Sequence, residues 1–516
     1  MDGPEQKLAT IMKPMENHMT EHPTQEREFK RGLGLLDSIM IVVGVMIGSG
    51  IFIVSADIAR TVGSAGLLLL VWLVTGVLTM IAALSYGELA VMMPHAGGQY
   101  VYLREAYNPL VGFLYGWTFF MVIQTGTIAA VAVAFAKFTG VLVPWVSEEN
   151  VLFHLAGLKI TMAQLTAVAC IVVLTWINLK GLREGKIVQN VFTLTKTAAL
   201  IGIIFLGLFV VRNHDAIAAN LSNFWSATWT HIRDDKILSV ESLSGWKILA
   251  AMGAAMVGSL FAADSWHDVT MAAVEVKDPK KTLPRSLAIG VGLVTVLYIL
   301  TNVSYTLLLP VVGSPDATDA AGRGIQFAAS DRVGTAAASM IFGDIATVVM
   351  ACLIMVSTFG CANGLILAGA RLYYAMAKNG LFFRRAGELN ANAVPGYALV
   401  IQAVWSIVLC FSGTYSDLLD YVIFAVLVFY VLTIIGLFIL RKKRPDADRP
   451  YKAFGYPVLP GLYVLLAAAI CVDLLVFKPL YTWPGLGIVL IGIPVYYLWT
   501  KFSKGNQSPQ AQKEKG

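Results

Sequence analysis

Charge is scarce in this sequence. Of its 516 residues 14% are Asp, Glu, Lys or Arg and 57% are hydrophobic, whereas a water-soluble domain carries about 25% charged residues. Too little charge is left to cover a soluble surface, and lipid is the expected solvent. Cysteine is scarce as well: Cys170, Cys352, Cys361, Cys410 and Cys471 all fall in apolar runs, which argues against a disulfide framework. There is no CxxC, and the seven histidines are scattered, so no metal or other cofactor is expected. A glycine loop followed by lysine, a GxSxG elbow and a soluble block large enough for catalysis are also missing, so the chain does not read as an enzyme. Residues 1–30 lack an apolar signal core.

What the chain has is long apolar runs, continuous instead of alternating, hence helices and not barrel strands. Twelve spans are expected near 34–58, 66–92, 109–140, 161–180, 187–211, 247–274, 286–310, 340–376, 397–413, 416–440, 456–477 and 483–501. Around them the expectation is a disordered cytosolic arm over 1–31, a transmembrane domain over 32–502 and a cytosolic tail over 503–516. Lys180, Arg183 and Lys186, then Lys277, Lys280, Lys281 and Arg285, then Lys378, Arg384 and Arg385, and finally Arg441 to Arg444 fall on one side of this topology. By the positive-inside rule that side, with both termini, is cytosolic. The net charge of +6 follows from this distribution and requires no nucleic acid.

Two spans are interrupted. The first contains GVMIGSGIF (44–52), and five spans later FAADSWHD (261–268) places Asp264, Ser265, His267 and Asp268 where apolar residues belong. Paired breaks in corresponding positions point to a transporter site. An offset of five gives two inverted five-helix repeats, about 34–211 and 247–440, with two helices added at about 456–501. Unwinding at Gly48, Ser49 and Gly50 frees amides at a half-helix start, which suit a carboxylate, and exposes carbonyls that accept from an ammonium. Together they describe an amino acid head group. The alternative use of these glycines is close helix packing.

The stretches VGVMIGSGIF, GSAGLLLLVWLVTGVLTMIAALSYGELA, MPHAGGQYVYLREAYNPLVGFLYGW, FTLTKTAAL, EVKDPKKTLPRSL, STFGCANG and ARLYYAMAKNG resemble the amino acid–polyamine–organocation superfamily, in particular bacterial relatives of the L-type amino acid transporters. The resemblance runs from about Gly32 to Lys501. It implies an all-α membrane protein with twelve transmembrane helices in the LeuT-like fold, with helices one and six broken. By position it implies that Gly48, Ser49 and Gly50 bind the substrate carboxylate and that carbonyls of Met46, Phe261 and Asp264 meet the amino group. Phe261 matches the aromatic gate, and Ala262 and Ala263 continue the substrate-binding segment. Where relatives read an aromatic, then Asp or Gly, then Gly-Trp-Asn, this chain reads Ala263-Asp264-Ser265-Trp266-His267, which leaves substrate identity open. Asp264 either pairs with a cationic substrate or caps the restarted half-helix.

Lys196 is an intramembrane charge about ten residues into helix five, and such a residue is a functional hypothesis by default. The resemblance places its ammonium where sodium-coupled members of this fold hold a cation, near Met46 and Gly48 and the hydroxyls of Ser357 or Thr358. The implied function is sodium-independent exchange of L-amino acids, small or large neutral ones first, by alternating access. Proton symport, a cationic amino acid or polyamine substrate, and a non-transporting sensor are the alternatives. The expected partners are the amino acid and membrane lipid. The 143–159 loop has no cysteine for the disulfide of animal heteromeric relatives, so no linked heavy chain is expected. The expected location is the inner membrane of a bacterium.

Overall fold

A computed structural model describes residues 28–147, 150–155, 158–233, 236–411, 415–477 and 479–505. Most of the expected arm (1–27) and the tail from 506 onward lie outside the described residues. The helices run in order as α1 (Leu35–Met46), α2 (Ser55–Val62), α3 (Ala65–Met92), α4 (Gln99–Ala106), α5 (Pro109–Thr118), α6 (Gln124–Leu142), α7 (Met162–Leu179), α8 (Leu182–Phe205), α9 (His214–Ser222) and α10 (Trp246–Ala262). They continue as α11 (Asp268–Met271), α12 (Pro279–Leu308), α13 (Ala320–Arg323), α14 (Val333–Phe342), α15 (Ala346–Lys378), α16 (Gly396–Cys410), α17 (Tyr415–Lys443), α18 (Val458–Phe477) and α19 (Pro479–Gly505).

Among the described residues nine helical runs are long and apolar enough to cross a bilayer. Three shorter apolar helices, Leu35–Met46, Trp246–Ala262 and Gly396–Cys410, accompany them. Two of the three are α1 and α10, the helices that stop early at the interruptions. Large apolar side chains such as Val191, Leu194 and Phe205 on α8 and Leu73 and Val77 on α3 remain exposed. An apolar exterior of this kind belongs against lipid.

The chain is not purely helical. Two antiparallel hairpins, β1 (Val151–Leu155) with β2 (Leu158–Thr161) and β3 (Thr228–Arg233) with β4 (Lys236–Ser242), sit in the polar intervals expected to be plain loops. The expected span at 340–376 begins earlier, as α14, and turns at Gly343, whose φ of 60° suits glycine, before α15 continues to Lys378. Short α4 was not expected either; Gly98, with φ 45°, starts it against Thr270.

The site is positioned by α1, which lies among α8, α12 and α15, and by α10, which packs on α2, α3 and α17. Gly44 lets α1 approach α8: a Cβ there would lie 1.9 Å from Gln189 Nε2 and 2.3 Å from Thr193 Oγ1. Gly360 and Gly364 do the same for α15, against Phe192 and Val45. Small residues thus bring backbone close to backbone where polar atoms must be shared. The start of the described chain is pinned too: the amides of Gly32 and Leu33 both donate to the Glu275 carbonyl at 2.9 Å.

Candidate functional site

The first interruption follows Met46. Ile47 turns extended (ψ 90°), the chain makes a single tight helical turn over Gly50–Phe52, and α2 resumes at Ser55. A helix ending in mid-membrane leaves its last carbonyls without partners; here Val43 O keeps the Ile47 amide, and the carbonyls of Gly44, Val45, Met46 and Ile47 are met by side chains of other helices. The Lys196 ammonium, 2% exposed, donates to the carbonyls of Gly44 at 2.6 Å, Ile47 at 2.5 Å and Ser357 at 3.2 Å. Three donors thus meet three acceptors, with a cation at the negative end of a helix. The Ser357 hydroxyl donates to Ile47 at 3.0 Å and to Gly48 at 2.9 Å, and the Cys361 thiol lies 3.1 Å from the Val45 carbonyl. The structure thus places Lys196 and Ser357 at the break, but the ammonium meets Gly44 O, Ile47 O and the backbone carbonyl of Ser357 instead of the Ser357 hydroxyl and the Met46 and Gly48 carbonyls, and Thr358 is turned away. Its hydroxyl turns back to Ile354 and Met355 in its own helix.

The second interruption follows Ala262. Ser265 takes φ 64°, a left-handed conformation that a serine adopts only under constraint, and Asp268 begins the short α11 with its amide on Ser265 O at 3.0 Å. The Asp264 carboxylate does not cap α11. It accepts from the Tyr430 hydroxyl at 2.5 Å, and the same hydroxyl lies 2.8 Å from His267 Nδ1. One residue joins the two breaks: the Tyr298 hydroxyl lies 2.8 Å from the Met46 carbonyl and 2.9 Å from that of Ala262. Met46 O also accepts from the Gly48 amide at 3.0 Å, and Phe261 O from the Asp264 amide at 3.1 Å. An ammonium meeting the Met46 carbonyl must therefore displace Tyr298.

Between the breaks lies an enclosed cavity of about 20 Å³, room for one or two waters. It is lined by Met46, Gly48, Ser49, Gly50, Phe261, Ala262 and Asp264, which the sequence singles out, and also by Val45, Thr127, Val131, Ser265 and Cys361. Ala263 points elsewhere, into a neighbouring space shared with Leu260, Trp266 and Tyr430. Thr127 and Val131 were missed, although their spacing of four puts them on one face of α6. Gly48 has room, its nearest neighbour to an added Cβ being Cys361 Sγ at 3.4 Å, whereas at Gly50 a Cβ would meet Ala262 Cβ at 2.8 Å. Gly50 therefore serves helix contact, and Gly48 opens onto the cavity.

Glu88, Gln124 and Asn363 hold helices together. Glu88 binds Arg441 at 2.6 Å and Arg449 at 3.3 Å, Gln124 donates to Leu365 O at 2.7 Å, and Asn363 bridges Gly185 O and Gln189.

A multi-pass helical membrane protein with two mid-membrane interruptions facing one buried cavity falls in the class of membrane transporters. The chain belongs to the amino acid permease family, within the amino acid–polyamine–organocation superfamily: the family profile matches residues 33–499. It is 31% identical to the human large neutral amino acids transporter small subunit 2, over 91% of this chain and 80% of that one. It is 28% identical to the mouse b(0,+)-type amino acid transporter 1, over 96% and 94%, and 28% identical to the serine/threonine exchanger SteT of Bacillus subtilis, over 92% and 98%.

Proposed function

We propose that the protein exchanges neutral L-amino acids across a membrane without sodium, by alternating access in a twelve-helix, five-plus-five inverted repeat. The observation that carries this reading is the Lys196 ammonium on the carbonyls of Gly44, Ile47 and Ser357. An ammonium on those acceptors repels a second cation and occupies the carbonyls that sodium would need. The substrate carboxylate meets the amides at Ser49 and Gly50, at the start of the helical turn that follows the break. Val45, Thr127, Val131 and Cys361 around a cavity of about 20 Å³ favour small side chains within the neutral class. The names of the relatives, which include a serine/threonine exchanger, support amino acid exchange.

In this reading the chemistry is transport and not catalysis, both termini face the cytosol of a bacterium, and no disulfide-linked heavy chain is needed. The test is uptake of labelled L-serine by purified protein in sodium-free liposomes. Faster uptake with unlabelled L-serine inside is expected. Equal rates with and without internal substrate defeat exchange, and a strict sodium requirement defeats the Lys196 assignment.

A further inference from the structure

The Lys196 cluster leaves a second buried set of titratable groups unused. Asp268 is 0% exposed, and its Oδ2 accepts from Gln124 at 3.2 Å. Its Oδ1 has no hydrogen-bond partner and lies 3.8 Å from His267 Nε2. That nitrogen is also 3.3 Å from the Tyr115 hydroxyl, while Nδ1 on the other side of the ring is 2.8 Å from Tyr430, which reaches Asp264. The other ionisable groups facing these residues are Tyr86 of α3, Tyr115 of α5, Tyr463 of α18, and Cys361 and Tyr373 of α15. On α1 the ionisable residue is Asp37, held at the helix start by Lys186 and Asn190. The buried cations on neighbouring helices are committed: Lys196 to carbonyls, and Arg371 to Glu275 at 2.9 and 3.0 Å.

A carboxylate in such a place is expensive as an anion, and carboxyl and imidazole groups in chains are how membrane proteins carry protons. We infer that Asp264, Tyr430, His267 and Asp268 form a proton path from the cavity into the protein, and that the site binds a proton as a second transported species. This inference rests on the transport reading above.

The transfer balances atom by atom. Initially Asp264 carries the proton, Tyr430 donates to His267 Nδ1, and Nε2 bears hydrogen. Asp264 gives its proton to the Tyr430 oxygen while Tyr430 passes its own to Nδ1, and Nε2 releases its hydrogen to Asp268 Oδ1. Asp264 ends as carboxylate and Asp268 as acid, while tyrosine and imidazole end neutral, the latter as the other tautomer. Closing the 3.8 Å gap requires a small movement of α11, the segment between the break and α12.

The test uses the full chain in sodium-free liposomes containing a pH-sensitive dye, with labelled L-serine as probe. The expected wild-type result is uptake into substrate-free vesicles that accelerates with an inward proton gradient and acidifies the interior. His267→Asn and Asp268→Asn should each lose that acceleration, on the order of tenfold, the scale of ordinary coupling free energies. Both should retain exchange at equal pH within about threefold, since neither lines the cavity. Tyr430→Phe, which keeps the ring and removes the relay oxygen, should match their loss of gradient response. A wild type that exchanges but neither responds to the gradient nor moves protons overturns the inference alone. So do Asn variants with undiminished gradient response, or monodisperse Asn variants that lose exchange at equal pH, since the residues are then structural. Absence of any amino acid flux in the wild type overturns the transport reading and the inference together.

Discussion

The two interruptions solve one problem by different means. In a bilayer every broken turn of helix leaves polar backbone that no water will satisfy. At the end of α1 the freed carbonyls are bound by Lys196, with Ser357 and Cys361 beside it. After α10 the chain turns through a left-handed Ser265 and is surrounded by groups that both give and take protons, Tyr430, His267 and Asp264. In the first arrangement the donors of one ammonium all point at carbonyls, which can only accept; in the second the hydrogens can be redistributed. In the proposed transport the first break holds the substrate head group, and in the proposed proton path the second changes protonation.

The sharpest way to break this contrast is to remove the ammonium. Lys196→Ala takes the ammonium from three carbonyls, of which Ile47 O keeps the Ser357 hydroxyl, and leaving buried acceptors unpaired costs about 3 kcal/mol. At about 1.4 kcal/mol per tenfold, exchange should fall about a hundredfold if that loss falls on the conformational change. Lys196→Arg should recover only part, because a planar fork does not fit a site built around a compact ammonium. The measurement is exchange rate in liposomes with monodispersity as the control for folding. Wild-type exchange by Lys196→Ala would make the lysine incidental.

Next in size is Tyr298→Phe, which tests whether the two breaks act as one unit. The hydroxyl is shared by Met46 O, which keeps the Gly48 amide, and Ala262 O, and depriving a buried acceptor of its partner costs about 1–3 kcal/mol. Exchange should slow about tenfold. If the gradient response described above falls while exchange at equal pH does not, the tyrosine belongs to the second break alone.

Gly50→Ala separates packing from binding. The added methyl would lie 2.8 Å from Ala262 Cβ, and overpacking of this kind costs about 1–3 kcal/mol. Adding Ala262→Gly removes the conflicting methyl, and recovery of at least half the lost exchange is expected. If the double variant stays as impaired as the single, Gly50 is needed for approach of the substrate instead.

How far the sequence reveals this site depends on contrast with its background. Lys196 and the Gly48–Gly50 run are visible because a charge and clustered glycines depart from an apolar helix, and both lie at the break. Asp264 and His267 stand out for the same reason. Tyr298, Tyr430 and Thr127 are ordinary residues for a membrane helix, so only their position in three dimensions marks them. Ala263 shows the limit of reading by position: one residue along a helix turns about 100°, enough to move a side chain from the cavity to the space behind it. The nine long apolar runs among the described residues are legible because bilayer thickness sets their length. The hairpins were not, since short polar strands carry only a weak alternation signal.

The smallest effect, and the finest test of the contrast, is expected from Ser357→Ala. Its hydroxyl serves Ile47 O and Gly48 O, but Ile47 keeps Lys196 at 2.5 Å, so only Gly48 O loses a partner that Lys196 does not replace. A neutral hydrogen bond contributes about 0.5–1.5 kcal/mol, and Gly48 has space beside it, with Cys361 Sγ the nearest atom to an added Cβ at 3.4 Å. A water can take the serine's place, and exchange should fall by only about threefold. Thr358→Val should have no effect, because that hydroxyl bonds within its own helix. Neither change should alter the pH dependence of uptake, which the proposed proton path places at the other break. If Ser357→Ala instead falls as far as Lys196→Ala, the carbonyls of α1 depend on neutral donors as much as on the ammonium. The ammonium is then not what distinguishes the two interruptions.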